Sequence, residues 1–151
     1  MTAQGTLFTE NTECDRVKQI DAEILNLLTG HAGGPLNMTL GDDETAVLRA
    51  IRYKRGLGNG ATISDLKEST RLTERAIKEA VRGLRLNFHL PVGSSKGLGG
   101  YYLMITREDM DAWRAQAVAQ LRGEVEVLRA IGGHHAWLEL VSEVEKSEVR
   151  Q

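Results

Sequence analysis

Arg75, Lys78, Arg82 and Arg85 recur at spacings of three and four residues. On a helix turning about 100° per residue, all four fall on one side. A row of fixed cations on a rod suits a polyanion. Each Arg offers a planar fork that matches a phosphate or the O6/N7 edge of guanine, and Lys adds a point charge. Ile77, Val81, Leu84 and Phe88 make an apolar stripe on the same segment, roughly 110° from the cations. One side can therefore pack while the other meets a ligand. Arg71 and Thr73 stand just before the segment, where free helix N–H groups favour anions. Ser94, Ser95 and Lys96 open a glycine-rich tip farther on. Glu74 and Glu79 flank the cations and repel phosphate. Glu74 also suits a helix N-terminus, and either can accept from cytosine N4.

Other chemistries find weaker support. His31, His89, His134 and His135 lack a metal-ligand spacing, and Cys14 is the only cysteine, so no metal is expected. Residues 93–100 lack the order of a phosphate-binding P-loop. Asp109 and Asp111 cannot share a helix face at a spacing of two. No nucleophile, base or cofactor signature emerges, and an enzyme is not expected. Tyr101 and Tyr102 read as hairpin packing, Trp113 and Trp137 as core or interface.

The net charge of −2 hides a strong segregation. Residues 44–107 carry 12 Lys and Arg against five Asp and Glu, a formal +7. The preceding 43 residues carry −5 and the last 44 carry −4. A basic block between acidic arms raises local affinity for polyanions, although solvated helix faces give the same composition. Aromatic content of 5% argues against a single-strand binder built on stacking. No run approaches the ~18 apolar residues of a membrane span, the first residues lack leader character, and a lone cysteine suits a reducing cytoplasm.

The elements that must position the cations follow from periodicity and punctuation. Val17, Ile20, Ile24, Leu27 and Leu28 predict a helix over 15–29, followed by a glycine-rich linker in which Leu36, Met38 and Leu40 suggest a short strand. Asp42 or Asp43 caps a helix carrying Val47, Leu48 and Ile51, and Ser64 caps a short helix carrying Leu66. Thr73 caps the cationic helix, and Asn87 is a candidate left-handed stop. Residues 89–94 and 101–105 flank a glycine-rich hairpin tip. Thr106 then caps a long helix with Met110, Trp113, Ala117, Leu121, Val125, Leu128 and Ile131 on one stripe, ending at Gly132-Gly133. A last amphipathic segment carries Trp137, Leu140, Val141 and Val144.

Helix, short helix, tight turn, helix and glycine-rich hairpin resemble a winged helix-turn-helix protein of the small bacterial or phage regulator type. The resemblance rests on Ile63 to Leu84, where Ile63-Ser64-Asp65-Leu66 precedes "L-T-x-R-x-I-x-x-x-V-x-x-L", and on Pro91-Val92 with Lys96-Gly97-Leu98-Gly99-Gly100-Tyr101-Tyr102-Leu103. It covers about 44–106. Arg71 stands where the turn often has glycine. The resemblance implies a mainly α fold with a small β-hairpin, flanked by N- and C-terminal helices. The expected divisions are 1–41 (helix and linker), 42–106 (winged domain) and 107–151 (helical arm). It implies selective binding of double-stranded DNA in transcription or replication-origin control, with Arg71, Thr73, Arg75, Lys78, Arg82, Arg85, Ser94, Ser95 and Lys96 at the DNA. The stripe at Met110, Trp113, Ala117, Leu121, Val125 and Leu128 is expected to form a homodimer; the alternative is that the helices at 15–29 and 135–147 fold back and cover it. The alternative is a winged-helix protein-interaction module in a replication or assembly complex, contacted through the acidic arms.

Overall fold

The computed structural model describes residues 10–149 except 96 and 98, and the side chains of 10–12, 134, 136, 148 and 149 lie outside that description. The elements are α1 (Glu10–Leu28), α2 (Asp42–Ile51), α3 (Ile63–Thr70), α4 (Glu74–Leu86), β1 (Val92–Ser95), β2 (Gly100–Leu103) and α5 (Arg107–Val149). The fold is thus mainly helical with one small antiparallel hairpin. It comprises two compact units, one ending at Trp113 and one starting at Arg114.

The first unit has one apolar core. Val47, Leu48 and Ile51 of α2 meet Leu66 of α3 and Ile77, Val81 and Leu84 of α4. Each such side chain contributes about 1.5–3 kcal/mol when withdrawn from water. Ile24 and Leu27 of α1 are buried in the same core. The expected division after residue 41 therefore does not separate α1 from the packed unit. Arg55 also forms an ion pair with Asp21, and Arg16 Nη2 donates to Met110 Sδ at 2.8 Å. Both contacts fasten α1 to later segments of the unit.

Helix starts follow local hydrogen-bond chemistry, with two departures from expectation. Gly41, not Asp42 or Asp43, is the N-cap of α2, and Glu44 Oε2 accepts from its N–H at 3.3 Å. Thr62, not Ser64, caps α3. Its hydroxyl oxygen accepts from Asp65 N at 3.1 Å, while Asp65 Oδ2 accepts from Thr62 N at 2.9 Å. This reciprocal box satisfies two otherwise free donors, and the Thr62 backbone hydrogen bond foremost holds the Asp65 carboxyl below its usual range. Thr73 caps α4 as expected, accepting from Ala76 N at 3.2 Å. Asn87 stays right-handed at φ −91°, and His89 takes the positive φ instead. Between α1 and α2 only a single bridge, Gly33 to Met38, forms where a short strand was expected.

The hairpin pairs Val92 with Leu103 and Ser95 with Gly100. The other edge of β2 is also paired. Ala61 and Tyr101 exchange two hydrogen bonds of 2.8 Å, Leu103 N donates to Lys54 O at 2.7 Å, and Gly56 N donates to Leu103 O at 3.1 Å. The α2–α3 connection therefore acts as a third strand. Two glycines permit that approach. A Cβ at Gly60 would lie 2.2 Å from Gly99 O, and one at Gly100, where φ is +76°, would lie 2.0 Å from Ala61 O. Gly100→Ala combines a backbone clash with a left-handed conformation. It is expected to destabilise by about 2–4 kcal/mol in urea unfolding; a change below about 0.5 kcal/mol contradicts this pairing.

The second unit is a helical hairpin. Gly133 has φ 71° and ψ −178°, which breaks the helix inside α5. Leu121, Val125 and Leu128 before the break line one cleft of about 280 Å³ with Trp137, Val141 and Val144 after it. On a straight helix Leu121 and Val144 would stand roughly 34 Å apart, so the chain doubles back at Gly133. Arg129 lies over the Trp137 ring at 5.9 Å. The fold-back leaves the apolar face partly open: Leu121 is 59% exposed and Val144 52%.

Candidate nucleic-acid interface

The wheel of α4 separates as its sequence demands. Ile77, Ala80, Val81 and Leu84 are buried, while Arg75, Lys78 and Arg82 are exposed. Two of these cations carry partners from their own helix. Lys78 Nζ lies 2.6 Å from Glu74 Oε1, and Arg75 Nε lies 3.1 Å from Glu79 Oε1. The hydrogen bond between Glu74 and Lys78 lowers the carboxyl pKa and raises the ammonium pKa, so both stay charged through the neutral range. Arg82 has no hydrogen bond or ion pair among the described residues. These side chains and Tyr101 of β2 line an open groove of about 830 Å³ between α4 and the hairpin.

Arg85 has a different setting from the other cations. It is half-buried, its Nε donates to Val92 O at 2.7 Å, and Nη2 donates to Ser94 Oγ at 3.4 Å. Its guanidinium also stands over the Trp113 ring at 5.8 Å. Desolvation by burial lowers its pKa, which for a guanidinium leaves the charge intact. Arg85 thus fastens the hairpin to α4, a role its place in the spacing pattern does not reveal. Ser94 and Ser95 are half-buried on β1. Lys96 lies outside the described residues.

The connection from α3 to α4 brings Arg71 and Thr73 to the N-terminal end of α4. Arg71 is exposed and left-handed at φ 59°, and its N–H donates to Lys67 O at 2.9 Å. An L-residue in this conformation costs about 1–2 kcal/mol, and glycine is the usual occupant. Nothing in the described fold uses the Arg71 side chain. Arg71→Gly is therefore expected to raise stability by about 0.5–1 kcal/mol in urea unfolding; a loss of stability contradicts the strain. Thr73 is exposed, and its hydroxyl retains a proton to donate while its oxygen caps the helix.

Other expected residues take structural places. Tyr102 is buried, and desolvation raises its phenol pKa. Asp109 joins the α2–α3 connection to the start of α5, accepting from Leu57 N at 3.3 Å and from Ile105 and Thr106 N at 3.2 Å each. Burial pushes its carboxyl up, but these N–H donors outweigh burial and its pKa falls. A depressed folded pKa contributes stability above the unfolded value near 3.9, and that contribution disappears as pH falls through the folded value. Asp109→Asn should flatten the acid limb of the stability profile measured by chemical denaturation; an unchanged acid limb contradicts this role.

The expected association stripe is divided. Met110 accepts from Arg16 and Trp113 lies beneath Arg85, so both serve the first unit. Ala117, Leu121, Val125 and Leu128 belong to the second, where Leu121, Val125 and Leu128 line the cleft. Among the described residues, no three His, Cys, Asp or Glu side chains gather as metal ligands, and no helix is long and apolar enough to cross a membrane. No protein-family model, curated protein or solved structure matches the chain.

Proposed function

We propose that the chain is a winged helix-turn-helix protein that binds double-stranded DNA selectively, as a bacterial or phage-type regulator of transcription or of a replication origin. The observation that carries this reading is the exposed row Arg75, Lys78 and Arg82 on α4, on a different side of the helix from its buried apolar stripe. In this reading α4 enters the major groove, which admits one helix. Arg71 and Thr73 meet phosphate at its N-terminus, and the hairpin is the wing that touches the neighbouring backbone. Arg85 sets the angle between wing and helix. The strain at Arg71 supports a functional use of its side chain.

The second unit supplies the homodimer contact. Its apolar cleft remains open on one side, and closing it with a second hairpin gives a four-helix bundle. Two α4 helices then read half-sites one DNA turn, or a multiple of it, apart. The same open cleft and the acidic terminal segments also suit a protein-interaction module in a replication or assembly complex. Selection from a random duplex library separates the two readings. A palindromic motif is expected from the DNA-binding reading, and enrichment of no motif favours the protein-interaction module. Cytoplasmic placement accompanies either reading.

A further inference from the structure

The outward face of α4 is not optimised for charge. In angular order at about 100° per residue, Lys78, Arg82 and Arg75 occupy the middle, with Glu74 at one margin and Glu79 at the other. The two carboxylates reduce three positive charges to a net +1. Their pairs with Lys78 and Arg75 are exposed: the Glu74 side chain is 53% exposed and the Glu79 side chain 66%. Exposed pairs of this kind add little to helix stability. Fold stability therefore gives a weak reason for placing acids in a face that would meet phosphate.

The geometry of the Arg75–Glu79 pair gives a stronger one. Glu79 Oε1 engages Nε of Arg75, which leaves both terminal nitrogens available as a fork. That fork matches O6 and N7 of guanine. The carboxylate itself only accepts hydrogen bonds at neutral pH. Brought to the floor of a major groove, it needs a donor: cytosine N4 is the donor that glutamate reads, whereas adenine sets its N6 donor beside the N7 acceptor. Against guanine N7 and O6, or thymine O4, it would face acceptors and be repelled.

Resting on the DNA-binding reading, we infer that Glu79 is a specificity-determining residue: it aims the Arg75 fork at a guanine and reads a cytosine itself. Residues 75 and 79 are separated by about 6 Å along α4, close to two base steps of 3.4 Å. The two readings therefore fall within about two base pairs of one another. Glu79 also keeps the face from holding any sequence by charge alone.

The test is selection from a random duplex library with the full chain as wild type, Arg75→Ala, Glu79→Gln and Glu79→Ala, with random-duplex affinity measured at one salt concentration. Positions 75 and 79 are exposed, and circular dichroism checks that each variant folds. Wild type should enrich a guanine and, within two positions, a cytosine, each preferred by at least about fivefold. Glu79→Gln should move the second preference from cytosine to adenine, the base whose N6/N7 edge suits an amide. Glu79→Ala should erase the second preference and keep the first, and both Glu79 variants should hold random duplex several-fold more tightly. Arg75→Ala should erase the guanine. A wild-type motif that Glu79→Gln and Glu79→Ala both reproduce overturns the role of Glu79 and leaves DNA binding standing. A wild type that enriches no motif overturns selective DNA binding, and the role of Glu79 with it.

Discussion

Replacing Arg75, Lys78 and Arg82 together with alanine should weaken binding to the selected duplex by at least about a thousandfold. Each lost contact is worth about 1.4 kcal/mol, near the lower end for a base-reading arginine, and each such loss is a factor of ten. The fold should survive. All three side chains are exposed, alanine is the best helix former, and exposed ion pairs contribute at most about 1 kcal/mol. Fluorescence anisotropy with a labelled duplex, beside a thermal melt, separates lost contact from lost fold. A folded triple variant that retains wild-type affinity would remove α4 from the interface. Arg85→Ala is the instructive contrast. It should disturb the position of the hairpin and lower stability, because Val92 O and Ser94 Oγ lose their donor.

The second large effect concerns mass. The intact chain should scatter light as a species of roughly 33 kDa, twice its 16.6 kDa. A two-helix hairpin cannot enclose a core, and here Leu121 and Val144 at the cleft remain more than half exposed. Contiguous open apolar surface of this kind favours association. Leu121→Asp with Leu128→Asp should give a species of about 16.6 kDa, because each new carboxylate must be buried without a partner to keep the bundle. Met110 and Trp113 are engaged inside the first unit, so changing them should perturb that unit rather than mass. A wild-type mass of 16.6 kDa across micromolar concentrations contradicts the dimer.

The helical periodicities were legible in the residues because burial imposes a repeat. The stripes at Val47-Leu48-Ile51 and at Ile77-Val81-Leu84 lie in the core, and Gly133 breaks α5 near the expected place. The capping box at Thr62 and Asp65 was equally present as a spacing of three, but Ser64 competed for the same role, and only the backbone geometry decides. Contacts distant in sequence left no local mark. The pairing of Ala61 with Tyr101 and the burial of Ile24 and Leu27 beside α2 depend on tertiary packing that no short window encodes. Arg85 illustrates the limit at the candidate site. Its spacing matches Arg75, Lys78 and Arg82, yet its position in the last turn of α4 brings it against the hairpin, where it bonds Val92 O and Ser94 Oγ. The acidic N-terminal segment likewise looked detachable by charge, whereas deleting 1–41 would remove core side chains along with the charge.

The most direct measurement is the affinity of the wild-type chain for its selected duplex as a function of salt, by anisotropy between 50 and 200 mM monovalent salt. Contact with about six phosphates predicts a slope of log K against log salt near −5, through release of condensed counterions. A steep slope that shrinks by about one when Lys78 or Arg82 is replaced by alanine is the predicted result. No detectable binding, or an affinity indifferent to salt, would contradict a duplex-DNA interface on α4.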